Sequence, residues 1–129
     1  MRWVCLAVIA ALNGCGKDET LAGHGGAGRV WHLAELGGKP FAARATLEYP
    51  EPGRIAGQAP CNVWQARLQA PYPWFAAEAI TATRRGCPDL AAERGFLEAL
   101  ARMREAELLG PVLILRDGAG GEMLFRAGG

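Results

Sequence analysis

The sequence predicts an α+β fold, with an antiparallel sheet and one main helix. Short runs of alternating apolar and polar residues fill most of the chain after residue 28, and one segment near residue 90 has helical periodicity instead. A loop at 117–121, rich in glycine, joins two apolar runs in the manner of a β-hairpin. Strands that precede and follow a single helix favour α+β over alternating βαβ units. The sequence contains no internal repeat and indicates no second domain.

The part of the chain before the helix is interpreted as strands separated by turns. A first strand at 29–36 ends at Gly37 and Gly38. The turn Pro50–Gly53 follows from composition, because proline fixes φ and glycine allows a positive φ. The other predicted strands here are 45–49, 54–58 and 62–70, with shorter candidates at 74–76 and 79–83. In 62–70 the apolar Trp64, Ala66 and Leu68 alternate with Val63, Gln65, Arg67 and Gln69, so one face is expected to be buried and the polar face to be solvated, with a shallow binding face as the alternative. Trp31, Trp64 and Trp74 are expected to anchor the core, as tryptophans in small β domains mostly do.

The helix is predicted over 88–103. Pro88 is assigned to the first helical position, where its missing N–H has no cost, and Glu93 lies early, as the helix dipole favours. The apolar stripe consists of Ala92, Phe96, Ala99, Leu100 and Met103. Gly95 lowers helix propensity by up to about 1 kcal/mol and is expected where the helix approaches the sheet closely. Strands at 105–109, 112–116 and 122–126 complete the domain.

The N-terminal residues are typical of a secretory signal. A single charge, Arg2, precedes an uncharged apolar run from Trp3 to Leu12. This run is too short to cross a bilayer, which needs about 20 apolar residues. The alternative is a buried first element of the domain.

The apolar run ends in LNGC, which resembles the lipobox of bacterial lipoproteins. Leu12, Gly14 and Cys15 match that motif, whereas Asn13 departs from it. The resemblance implies that residues 1–14 are a signal peptide and that Cys15 is lipidated. Residues 15–28 are polar and glycine-rich, as expected of a flexible tether between the lipid anchor and a domain at 29–127.

Several short motifs follow one another in a fixed order along this domain. They are W-x-L-x-x-L from Trp31, R-I-x-G from Arg54, C-N at Cys61, T-x-T-R-x-x-C from Thr81, F-L-x-A-L from Phe96, L-I-L at 113–115 and L-F at 124–125. The ordered set resembles the META domain, the family of the heat-shock lipoprotein HslJ. Pro60 is a departure, because the family usually has glycine before C-N.

The resemblance implies a small, strongly curved, barrel-like antiparallel β-sheet with one main α-helix packed on it. It also implies a bacterial envelope lipoprotein of a family that is associated with stress and has no established enzymatic activity. These are expectations from the family, and composition and spacing do not provide them.

Cys61 and Cys87 are candidates for a nucleophile, a metal site or a disulfide. A cysteine nucleophile needs a nearby base, and nothing in the sequence places His32 beside either cysteine. Zinc needs four ligands at a recognisable spacing, which is missing. An exported domain meets an oxidising compartment, where the pair left after loss of Cys5 and lipidation of Cys15 is expected to form a disulfide. Two reduced, buried cysteines are the alternative.

The functional expectation is therefore a non-enzymatic, envelope- or stress-related binding or structural module. It is expected to be a monomer without a cofactor or metal, attached to the membrane through Cys15, facing the periplasm and directed to the outer rather than the inner membrane. Its partner would be an envelope protein or peptide. A net charge of +1 with scattered arginines gives no basis for nucleic-acid binding. The alternative is a small-ligand-binding domain with a cavity in the curled sheet.

Overall fold

The computed structural model describes residue 26 and residues 28–128. The predicted signal peptide, Cys15 and most of the predicted tether lie outside the described residues. At the end of the tether, Gly26 is buried and its carbonyl accepts a hydrogen bond from the Trp31 indole N–H at 3.0 Å.

The described residues form nine strands and one helix, α1. The strands are β1 (Trp31–Leu36), β2 (Lys39–Pro40), β3 (Thr46–Glu51), β4 (Arg54–Gln58), β5 (Val63–Leu68), β6 (Ala77–Ala82), β7 (Glu105–Leu109), β8 (Val112–Arg116) and β9 (Glu122–Ala127), and α1 is Leu90–Arg102. Each predicted strand from 29–36 to 122–126 is confirmed within a few residues, except the short candidate at 74–76.

A single antiparallel sheet contains all the strands, in the order β6-β5-β4-β3-β1-β9-β8-β7, with β2 paired to β1. The sheet curls into a half-barrel, so its two end strands are β6 and β7. This confirms the predicted antiparallel sheet with one helix. An isolated bridge between Trp74 and Glu105 adds a short contact beyond β7.

The core consists of large side chains from the sheet and the helix. The fully buried ones include Trp31 and Trp64 from the strands and Phe96 and Leu100 from α1. The rings of Trp64 and Phe96 meet edge to face with their centroids 5.8 Å apart, an arrangement that aromatic pairs prefer. The predicted stripe of α1 therefore faces the sheet, and hydrophobic burial is what holds the two together.

The helix begins two residues later than predicted. Asp89 is its N-cap, because the Asp89 carbonyl accepts the first helical hydrogen bond, from Glu93 N at 3.0 Å. Pro88 lies in a turn in which Leu90 N donates to Cys87 O, and a fixed φ suits that place. The expectation for Gly95 was also wrong: a Cβ there would meet nothing within 4 Å, so this face of the helix is open.

Two turns differ from the predicted ones. Gly37 and Gly38 both have positive φ and form a two-residue hairpin turn that leads into β2, which was not predicted. Trp74, expected to anchor the core, is 55% exposed. Its neighbour Phe75 is buried, and adjacent residues of an extended segment point in opposite directions.

Candidate functional site

The motifs C-N and T-x-T-R-x-x-C meet at one place, between the start of β5 and the start of α1. Asn62 is 4% exposed and lies at the centre. Its side-chain oxygen accepts from the Thr83 hydroxyl at 2.9 Å and from Arg85 N at 2.6 Å. Its side-chain nitrogen donates to Arg85 O and to Glu93 Oε2. One amide thus joins two loops and the helix.

Glu93 completes this network from the helix. Its Oε1 accepts hydrogen bonds from the backbone N–H of Cys61 at 2.9 Å and of Asn62 at 2.8 Å, and its Oε2 accepts from the Asn62 side chain at 2.6 Å. The carboxylate is buried, with the residue 6% exposed, yet both oxygens are satisfied. Glu93 therefore holds the loop before β5 against α1, a task for which a charge-assisted acceptor is well suited.

Sequence reasoning assigned Glu93 only to the helix dipole and missed this contact. A signal was present, because Glu93 precedes Phe96 by three residues and Leu100 by seven. It therefore lies on the apolar stripe that faces the core. An acidic residue on that face requires buried hydrogen-bond donors, and here the loop amides provide them.

The glycine of the R-I-x-G motif explains how the loop reaches this position. A Cβ on Gly57 would lie 2.1 Å from the carbonyl oxygen of Thr46 on the neighbouring strand β3. Only glycine allows that approach, and the Thr46 hydroxyl then accepts a hydrogen bond from Gln58 N at 2.9 Å. The loop after β4 closes with a bond from Ala59 N to Asn62 O. Pro60 fits within this turn, so the departure from the family pattern is accommodated.

Cys61 and Cys87 form a disulfide beside this network, with their Cα atoms 5.8 Å apart. It ties the start of β5 to the start of α1, as the sequence analysis expected. Neither cysteine then has a free thiol for catalysis or for zinc. His32 is exposed and lies against Gly128 on the β1–β9 side of the sheet. Within residue 26 and residues 28–128, no group of three or more His, Cys, Asp or Glu side chains is placed to hold a metal ion.

A cleft of about 550 Å³ opens next to the network. Its walls are β6, the segment that follows it and the first turns of α1. The lining residues are Asn62, Ile80, Thr81, Ala82, Thr83, Arg84, Arg85, Gly86, Leu90 and Glu93. The cleft therefore contains apolar surface, two exposed guanidinium groups and the edge of a strand.

The two end strands of the sheet differ in whether the outer edge of their backbone is hydrogen-bonded to another segment. At β7, Ala106 N donates to Pro73 O, Phe75 N donates to Arg104 O, and Leu108 N donates to the Tyr72 hydroxyl. The segment before β6 thus covers the β7 edge. No comparable segment among the described residues pairs with the outer edge of β6.

Backbone direction along β6 follows from two hydrogen bonds. Thr83 N donates to Val63 O at 3.0 Å, and Arg85 N donates to Asn62 Oδ1, so both of these amides face β5 and its preceding loop. Because alternate residues of a strand direct their N–H groups to opposite sides, the amide of Ala82, the residue before Thr83, faces the open edge.

The polar face of β5 was expected to be solvated, with a shallow binding surface as the alternative. Gln65 and Arg67 are exposed. The Arg54 guanidinium donates to Gln65 Oε1, and Arg67 lies 3.7 Å from a carboxylate oxygen of Glu78. These polar groups pair with one another beside a groove of about 430 Å³, which is consistent with a solvated face.

The hairpin loop between β8 and β9 closes on Asp117. Its Oδ1 accepts from Ala119 N at 2.7 Å and from Gly121 N at 2.8 Å. These backbone hydrogen bonds lower the pKa of Asp117 below its ordinary value, because they favour the ionised carboxylate. A Cβ on Gly121 would strike the same carboxylate, which explains the glycine at this position.

A family model described as the META domain matches residues 21–128 of the chain. The chain belongs to the META domain family. This confirms the resemblance drawn from the ordered motifs. No curated protein matches the chain significantly.

Solved structures resemble this META domain in fold. One is an NMR structure of a protein from Burkholderia xenovorans, with a TM-score of 0.63 and 17% identity over 83% of this chain and 86% of that one. Another is the crystal structure of a DUF4847 family protein from Bacteroides vulgatus ATCC 8482, with a TM-score of 0.62 and 14% identity over 80% and 94% of the two chains. At such low identity the likeness concerns the fold alone. Among the described residues of this META domain, no helix has both the length and the apolar character needed to cross a bilayer.

Proposed function

We propose that this META domain is a non-enzymatic, envelope- or stress-related binding module of the bacterial cell envelope. A lipid on Cys15 would hold it at the membrane, facing the periplasm and at the outer rather than the inner membrane. It would act as a monomer and bind an extended segment of another envelope protein. The binding segment would join the sheet at β6 as an additional strand.

The open edge of β6 is the observation that carries this proposal. A sheet edge offers unpaired N–H and C=O groups, which an extended peptide can satisfy by strand addition. The β7 edge is occupied by the segment Tyr72–Phe75, so β6 is the end at which addition is possible. The outward amide of Ala82 provides a backbone donor.

The non-enzymatic assignment is supported by the bonds that the candidate reactive groups already form within the protein. Both oxygens of Glu93 accept hydrogen bonds from the protein itself, and Cys61 and Cys87 are joined to each other. A general base must be able to accept a proton from a substrate, but Glu93 is buried and both of its oxygens already accept hydrogen bonds from the loop before β5. These groups therefore support a structural role.

A cavity inside the curled sheet has less support as a ligand site. Trp31, Trp64, Phe75, Phe96 and Phe125 are all buried on its inner side with the helix. The clefts described above lie at the surface instead. A binding role is thus better supported at the strand edge than in the interior.

Ala82→Pro tests strand addition. Proline removes the outward N–H while leaving the bonds of Thr83 to β5 in place, and proline is tolerated on edge strands. Loss of one backbone hydrogen bond is expected to weaken binding of a short, extended peptide about three- to tenfold. Ala82→Val, which keeps the N–H, is the matched control. Amide chemical shifts of the full chain in detergent micelles would locate the bound peptide, and shifts confined to residues away from β6 would refute the proposal.

The lipid anchor is tested separately. Cells that express the wild-type chain or Cys15→Ala are labelled with radioactive palmitate. Label in the wild type alone is the expected result. A wild-type chain without label would remove the anchor from the proposal and leave the strand-addition experiment unaffected.

A further inference from the structure

We infer that the cleft beside β6 selects a segment with acidic side chains, and that Arg84 and Arg85 provide this selectivity. The inference rests on the proposed strand addition and specifies the chemistry of the partner. Arg84 and Arg85 are the densest basic cluster of the sequence, and nothing in the network described above uses their guanidinium groups.

Both arginines lie at the rim of the cleft, and their side chains have no partner among the described residues. The four ion pairs among the described residues involve Arg54, Arg67 and Arg116. Neither Arg84 nor Arg85 forms an ion pair or a side-chain hydrogen bond to another described residue, and both are exposed. Two cations without a partner in the described part of the chain, next to an open strand edge, favour an anionic partner.

The backbone that carries the two arginines is held in place. Asn62 accepts from Arg85 N and donates to Arg85 O, so this residue is clamped on both sides. The disulfide fixes Cys87 two residues further on. A segment that is ordered before binding loses less conformational entropy when a ligand binds.

The other lining groups favour a polypeptide over a simple anion. Ile80 and Ala82 are half-buried and Leu90 is 39% exposed, so the cleft offers apolar surface next to its cations. An extended peptide can place an apolar side chain there and direct an adjacent carboxylate towards the arginines. The third charge of the cleft, Glu93, is turned towards Cys61 and Asn62 and is already paired with donors.

The experiment compares two short, terminally blocked peptides on the full chain in detergent micelles. One alternates valine with glutamate, and the other has glutamine at each glutamate. Arg84→Gln/Arg85→Gln removes both cations, and Arg104→Gln/Arg126→Gln is the control, because it makes the same charge change away from the cleft. Affinity is measured by fluorescence anisotropy and the site by amide chemical shifts.

The acidic peptide is expected to shift the amides of β6 and to bind about fivefold more weakly to the cleft variant, since exposed charge pairs each contribute modestly. The control should bind like the wild type, and raising the salt from about 0.1 M to about 1 M should remove the preference for glutamate. Equal binding of both peptides at β6, in wild type and cleft variant alike, overturns the acidic selectivity but supports strand addition. Binding of neither peptide at β6 overturns strand addition itself. If vesicles with anionic lipid bind through Arg84 and Arg85 while both peptides fail, the partner is a membrane and the inference is wrong.

Discussion

Removal of the Glu93 carboxylate is expected to be among the most damaging single changes in this domain. Glu93→Ala leaves three donors without their acceptor: the N–H groups of Cys61 and Asn62 and the side-chain amide of Asn62. An unsatisfied buried donor costs about 1–3 kcal/mol. Water can reach the half-buried Cys61, so we expect a total loss of about 3–5 kcal/mol. A domain of this size has a free energy of unfolding of about 5–15 kcal/mol, so much of its stability would disappear.

Glu93→Gln refines the same prediction. Its oxygen can still accept from the two backbone N–H groups, but its NH₂ group would face the Asn62 side-chain nitrogen, donor against donor. The loss of one charge-assisted hydrogen bond is expected to cost about 2 kcal/mol. Glu98→Gln is the control, because Glu98 is an exposed glutamate of the same helix. Its effect should stay within about 0.5 kcal/mol.

The assay is guanidinium-induced unfolding of the oxidised protein, followed by the emission of the buried Trp31 and Trp64. Unfolding midpoints are expected in the order wild type and Glu98→Gln, then Glu93→Gln, then Glu93→Ala. A Glu93→Ala protein within about 1 kcal/mol of the wild type, with an unchanged denaturant dependence, would show that the network does not hold the loop to the helix.

Three further predictions follow from the described contacts. The mature, unreduced chain should show no free thiol at Cys61 or Cys87 by thiol titration in denaturant, and two titratable thiols would contradict the disulfide. Replacing both cysteines by serine should lower the free energy of unfolding by about 3–4 kcal/mol. Gly57→Ala should lower the stability of the domain by about 1–3 kcal/mol, because its Cβ would overlap a backbone carbonyl, whereas Gly95→Ala should raise it by up to about 1 kcal/mol. Thermal unfolding measures both variants, and equal effects of the two substitutions would be evidence against the packing described. Because loop amides lower the pKa of Asp117, its ionised form contributes stability above the unfolded value of 3.8, and this is lost as the pH falls through the folded pKa. Asp117→Asn should therefore flatten the acid side of the melting temperature against pH, and an unchanged acid side would exclude this role.

Much of the strand and turn pattern could be predicted from local sequence. In β5 the apolar and polar positions alternate, and Trp64 and Leu68 are buried while Gln65 and Arg67 are exposed, as expected. The β8–β9 hairpin was evident because a glycine-rich loop separates two apolar runs. These features depend on the period of the backbone and on turn chemistry, both of which act over a few residues.

The candidate site was only partly predictable. The Cys61–Cys87 pair was expected from the sequence, whereas Glu93 was assigned to the helix dipole and Trp74 to the core. Glu93 meets Asn62 across 31 residues of chain. The local sequence places Glu93 on the apolar stripe of the helix, but no local window contains the loop amides that are its hydrogen-bond partners.

The sequence alone determined the class of fold, its family and the positions of most strands. Hydrophobic periodicity and the order of motifs can be recognised without knowing which residues contact one another in the folded domain. Only the tertiary structure decided which sheet edge is covered and which has no partner strand among residues 28–128. The segment Tyr72–Phe75 happens to occupy β7, and β6 is left beside Arg84 and Arg85. That outcome depends on how the sheet curls and on which segments meet at its two ends, and these are long-range contacts that follow from burying one shared core.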